Sequence, residues 1–116
     1  MLEINEFQFE SFCNARQTSF AAQLARRARW VHTNSVAEFD EATLVGMMEQ
    51  AIESALPLGL KKQSLLERFS DLSIILGIGF EETESWAKEI FTSPVKTPET
   101  KLREVEASAI FIIRGN

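Results

Sequence analysis

Tyrosine is missing from this chain of 116 residues, and cysteine and histidine occur once each. A lone cysteine, Cys13, excludes an intrachain disulfide. With Glu10 and Asn14 beside it and no second thiol, it reads as a small core or boundary residue. Cys13 and His32 lie 19 positions apart on what reads as one helix, so they cannot face each other as nucleophile and base. No Gly-x-Ser-x-Gly elbow is present, and no serine has a histidine in its neighbourhood. One imidazole and one thiol also leave too few ligands for zinc, and His32 reads as a solvated helix cap. Glutamates alone remain for acid–base work or a hard cation, without the dense Asp-x-Asp-x-Asp loop of a calcium site. No enzyme activity, metal or cofactor is expected.

Long apolar runs are missing too. The stretch Ala109 to Ile113 falls far short of the roughly 20 residues that a membrane helix needs. The first six residues show neither a basic nor an apolar leader segment, so a cytoplasmic protein without a cleaved signal is expected. Positive charge is scarce and local. Residues 1 to 35 hold four arginines against three glutamates, a net +1, while the remainder has 8 basic and 14 acidic residues, a net −6. That balance disfavours wrapping nucleic-acid phosphates.

What is present is helical periodicity, read here as a single all-α domain over residues 1–116, a compact bundle of about five helices. The first helix has Asn5 as cap, Gln8 at the third helical position and Ile4 able to staple to Phe9. Phe9, Cys13, Phe20, Leu24 and Val31 then recur at helical spacing, with Phe12 and Ala28 widening the stripe. Arg26, Arg27 and Arg29 fall in its last turns, where the dipole favours cations. Asp40 caps a second helix whose face is Leu44, Met48, Ile52 and Ala55, and Pro57 and Gly59 end it. A third runs from about Lys61 to Leu76 with Leu65, Leu66, Phe69, Leu72, Ile75 and Leu76 as its apolar face. A fourth spans about Glu82 to Phe91. The fifth starts on Thr97-Pro98-Glu99, a threonine cap, a proline at the first helical position and an acid in the first turn. Leu102, Val105, Ala109 and Ile112 line one side of it. The β-branched ending AIFIIRGN suits either a strand or a helix; helix is preferred because no other segment offers a strand to pair with.

The stretch LGIGFEETESWAKEIF, residues 76–91, looks at first like a ligand loop. The third glycine of a dinucleotide fingerprint is missing, Glu82 standing in its place, and three carboxylates would repel phosphate. A corner fits better: Gly77 and Gly79 stop the third helix, Phe80 tucks towards the core, and Glu81, Glu82 and Glu84 begin the next helix. Trp86, Ile90 and Phe91 would then pin it down.

Two clusters suggest contact with a protein partner. Arg26, Arg29 and Trp30 combine the residue types enriched at interface hot spots. Phe7 stands about 200° from Phe9 on a helix, so one of the two cannot share the core face. Phe111 and Ile113 raise the same question at the other end. The candidate partner-binding residues are therefore Phe7, Arg26, Arg29, Trp30, Phe111 and Ile113, with a homodimer as a further option.

Several of these motifs occur in a distinctive order. Phe12-x-x-Ala15-Arg16-x-x-x-Phe20-x-x-x-Leu24 precedes an acid-started helix ending near Leu58-Gly59. Glu67-Arg68-Phe69-x-Asp71-Leu72-x-x-x-Leu76-Gly77-x-x-Phe80-Glu81 follows, and then Trp86-Ala87-x-Glu89-Ile90-Phe91 before a Ser-Pro break. Over about residues 6 to 106 this resembles a group of small helical proteins encoded in bacterial type VI secretion effector loci, beside spike proteins, adaptor chaperones and toxins. The chain departs from that pattern at Lys61, where a threonine or serine cap is usual, and at Glu84-Ser85, where Asp and Pro are usual. The resemblance implies a co-chaperone that helps an adaptor load an effector onto the spike. An immunity protein that neutralises a cognate toxin and a DNA-binding regulator are the alternatives.

Overall fold

The structure, a computed structural model, describes the backbone of residues 6–115 and the side chains of residues 19–113. It is all-α. Six α-helices follow one another: α1 (Glu6–Val31), α2 (Glu41–Ala55), α3 (Gln63–Leu76), α4 (Phe80–Thr83), α5 (Ser85–Phe91) and α6 (Pro98–Gly115). A single 3-10 turn, Leu56–Leu58, follows α2, and there is no strand among the described residues. The β-branched ending is thus helical as far as Gly115. Asn5, Ile4 and the side chains of Gln8 and Phe9, which carry the expected cap and staple of α1, lie outside the described residues.

The chain groups into two units, residues 1–49 and residues 50–116, whose boundary falls inside α2. In the first, Ala21, Leu24, Ala25 and Ala28 give α1 a buried stripe, and Val36, Leu44 and Met48 are buried as well. Val31, expected on the stripe, is exposed. Asp40 starts α2 as the sequence suggests, its Oδ1 accepting from the Thr43 amide at 2.7 Å.

The second unit is built around three phenylalanines. The ring centroids of Phe69 and Phe80 are 5.2 Å apart, and Phe91 lies 6.1 Å from Phe69 and 6.3 Å from Phe80. All three rings are tilted against each other, the arrangement that aromatic quadrupoles favour. Ala51, Ala55, Leu60, Leu65, Leu72, Ala87, Leu102, Val105 and Ala109 complete this core. Trp86 and Ile90 pack against it as partly buried side chains.

Local chemistry explains the corners. After the 3-10 turn the Leu60 amide donates to the Ala55 carbonyl (3.3 Å) and the Gly59 amide to that of Leu56 (3.0 Å). These are the paired bonds of a Schellman stop, with Gly59 in the left-handed region (φ 86°) and Leu60 buried behind it. At the second corner Gly77 (φ 103°) ends α3 and Gly79 (φ 88°) precedes α4, and Phe80 turns inward to full burial. The segment expected as one fourth helix is interrupted at Glu84, whose extended backbone (φ −92°, ψ 110°) separates α4 from α5. Two members of expected apolar faces also lie outside the core: Ile75 on α3 and Ile112 on α6 are exposed.

α3 and α6 run parallel. Lys62 pairs with Glu99 at 2.9 Å, and six residues further along α3 Arg68 forks onto Glu106, its Nε 3.0 Å from Oε2 and its Nη2 bonded to Oε1. Both contacts advance in the same direction along the two helices. At the start of α6 the Thr97 hydroxyl accepts from the Thr100 amide at 3.2 Å, the expected cap.

Candidate functional site

The last turns of α1 present one exposed surface. Arg29 does not reach outward: its Nη1 donates to the Val36 carbonyl at 2.7 Å and its Nη2 to that of Phe39. The guanidinium therefore ties the segment 32–39 back onto the helix end. The Thr33 hydroxyl reinforces this by donating to the carbonyls of Arg29 (2.8 Å) and Trp30 (3.2 Å), two of the acceptors left open at a helix C-terminus. Val36 is fully buried within the turn so formed. On this braced frame Trp30 is 87% exposed. Arg26, one turn earlier on the same side of the helix, is exposed too. The hydrogen bonds fix the backbone beneath the indole, while the indole itself stays almost wholly in solvent.

The end of α6 presents another. Ile110, Phe111, Ile112 and Ile113 are all exposed, Phe111 to 77% and Ile113 to 53%. At 100° per residue, four successive apolar side chains surround most of the helix, so no single buried stripe can hold them all.

Of the residues that the sequence points to, Arg26 and Trp30 are brought together on α1, while Arg29 serves the turn beneath them. Phe111 and Ile113 share the end of α6 but project about 200° apart. The side chain of Phe7 lies outside the described residues. Ile75 fits the α3 stripe by spacing and Ile110 is not among the residues that the sequence points to, yet both are exposed. Four apolar residues in a row at 110–113 were the available signal.

Three further features bear on chemistry. A cleft of about 410 Å³ lies between the starts of α3 and α6, lined by Gly59, Lys61, Lys62, Leu65, Thr97, Pro98 and Glu99. Its polar side chains are exposed and Lys62 is already paired with Glu99, so nothing in it is set up to hold a specific ligand. Glu81, in the acidic first turn of α4, is buried to 6% exposure, and its Oε2 has no hydrogen-bond partner among the described residues. No group of three His, Cys, Asp or Glu side chains among the described residues could hold a metal ion, and no described helix is long and apolar enough to cross a membrane. Hydrogen bonds from Thr43, with the charge of Arg29 adding to them, hold the Asp40 carboxyl below its ordinary value. The hydrogen bond from Lys62 does the same for Glu99. Set against protein-family models, curated proteins and solved structures, the chain matches none of them.

Proposed function

We propose that this chain is a non-enzymatic accessory protein whose work is to bind another protein. The observation that carries the reading is Trp30, 87% exposed on a turn that Arg29 locks to the carbonyls of Val36 and Phe39. Burying such an indole contributes about 2–3 kcal/mol from its apolar area alone. Arg26 beside it supplies a charge that can select among partners. Taken with the resemblance carried by the 12–24, 67–81 and 86–91 motifs, the partner is an adaptor chaperone or a secreted effector of a type VI secretion locus, and the role is that of a cytoplasmic co-chaperone.

Co-expression with the adaptor encoded beside it tests this. The two should co-purify, and Trp30→Ala should weaken the complex at least tenfold while leaving the helical signal intact. An adaptor that is soluble and functional alone, and never co-purifies, sinks the proposal.

The charge distribution favours a second reading. The net −6 outside residues 1–35 suits an immunity protein that blocks a basic toxin. Deleting its gene would then be toxic to cells that carry the cognate effector, whereas deleting a co-chaperone gene abolishes delivery without self-killing. A DNA-binding regulator working through Arg26, Arg27 and Arg29 has less support, because Arg29 is spent on the turn.

A further inference from the structure

Residues 81–84 lie between two fixed points. Phe80 on one side and Ala87 on the other are fully buried, both in the core of the second unit. Between them α4 is a single turn, bounded by the left-handed Gly79 and the extended Glu84. Three amides hold that turn. Those of Glu82 and Thr83 donate to the Gly79 carbonyl at 2.9 and 3.1 Å, and that of Glu84 donates to the Phe80 carbonyl at 2.9 Å. A helix this short does not persist on its own backbone bonds, so packing has to hold it. Of residues 81–84 only Glu81 is buried, at 6% exposure; Glu82 and Thr83 are exposed and Glu84 is half-buried. The segment therefore sets no apolar residue into the core. Its one buried side chain is a carboxylate whose Oε2 has no hydrogen-bond partner among the described residues, a lack that water would make good. The other contacts are weak. Glu82 meets Lys88 at 3.7 Å between exposed side chains, and the Thr83 hydroxyl donates to the Gly79 carbonyl at 3.3 Å.

We infer that residues 81–84 form a strap that opens on its own while Phe80 and Ala87 stay in the core, and that Glu81 is the group driving it open. Opening breaks the three backbone bonds, which water replaces, and carries the Glu81 carboxylate into solvent. The balance is the reverse in α3 and α6, where Phe69 and Leu72, and Leu102 and Val105, are buried along the helix. Those helices lose apolar burial when they open, so they open only with the rest of their unit. The inference does not rest on the accessory-protein reading, since it uses neither Trp30 nor the resemblance.

Native-state hydrogen exchange on the full chain, followed residue by residue in rising urea below the unfolding transition, tests it. The amides of Glu82, Thr83 and Glu84 should be protected about a hundredfold less than that of Leu72, or weaker still. Their exchange should also hardly change with urea, because a local opening exposes little surface, whereas that of Leu72 should rise steeply. Glu81→Met should slow exchange at all three amides by about tenfold, and Glu82→Met should leave it within about twofold. Amides 82–84 that share the protection and urea slope of Leu72 overturn the inference, since the turn then opens only with the whole unit. Exchange at 82–84 that Glu81→Met leaves unchanged overturns it as well. Should Glu81→Met lose its helical circular dichroism, the urea slopes of the unaltered chain decide: flat at 82–84 sustains the strap, and steep overturns it.

Discussion

Gly59 and Pro98 approach so closely that a Cβ on the glycine would stand 2.8 Å from the proline Cγ. Gly59 also has a left-handed backbone, φ 86° and ψ 7°, almost the same as Gly79 at φ 88° and ψ 8°, where a Cβ would meet nothing within 4 Å. The two sites therefore separate backbone strain from crowding. Gly79→Ala should cost the strain alone, about 1–2 kcal/mol. Gly59→Ala should cost that plus the overpacking against Pro98, about 2–4 kcal/mol in all. Urea denaturation of the two variants measures the difference, and equal costs would mean that the proline yields freely.

Arg29 and Trp30 are neighbours in sequence with opposite expected effects. Arg29→Ala removes the donor to two carbonyls and should destabilise the protein by about 1–3 kcal/mol, with loss of order in the 32–39 turn. Trp30→Ala removes an indole that is almost wholly in solvent, and its effect on stability should stay within about 0.5 kcal/mol. Thermal or urea unfolding of both variants checks this, and it separates loss of partner binding from loss of fold.

Asp40 and Glu99 have carboxyls held below their ordinary values, the first by Thr43 and the second by Lys62. A carboxyl whose value is lower folded than unfolded stabilises the fold fully above the unfolded value. That contribution fades as pH falls below about 4 and on through the lowered folded value. Asp40→Asn and Glu99→Gln should therefore lower the urea midpoint at neutral pH and lose that effect near pH 2. A gap between variant and parent that stays constant with pH would assign the effect to packing instead.

Glu81 and Glu82 are adjacent acids in unlike surroundings. Replacing the buried Glu81 by methionine removes an oxygen that has no partner among the described residues and keeps the length of the side chain, so it should stabilise by about 1–2 kcal/mol. Glu82→Met, on an exposed position, should change stability by no more than about 0.5 kcal/mol. The comparison of denaturation midpoints is direct, and destabilisation by Glu81→Met would show that the carboxylate has a function in the fold.

Helix boundaries were legible wherever a cap wrote them locally. Asp40 with Thr43, Thr97 with Thr100, and the glycines at 59 and 77 are short-range signals, and each marks a boundary in the structure. The break at Glu84 was not legible, because Glu84-Ser85 contains no glycine or proline to mark the extended residue between α4 and α5. The burial of Glu81 was hidden for a similar reason: a carboxylate beside Phe80 reads as first-turn acid, and its exposure is decided by what packs over it. The candidate site was half legible. Trp30 and Phe111 stand out by composition, but Arg29 could be assigned to the turn only once the carbonyls of Val36 and Phe39 were placed within its reach.

The parallel course of α3 and α6 also has a price in time. Neighbouring helices joined by a short link are antiparallel and find each other at once, whereas Lys62 and Glu99 are 37 positions apart in the chain. Closing that distance costs about 2 kcal/mol more entropy than closing a link of five residues. None of the reward arrives before α4 and α5, too short to persist alone, are drawn in around Phe69. The α3–α6 seam should therefore be among the last contacts made in refolding, and a salt bridge such as Arg68–Glu106 acts mainly by slowing escape from the native state.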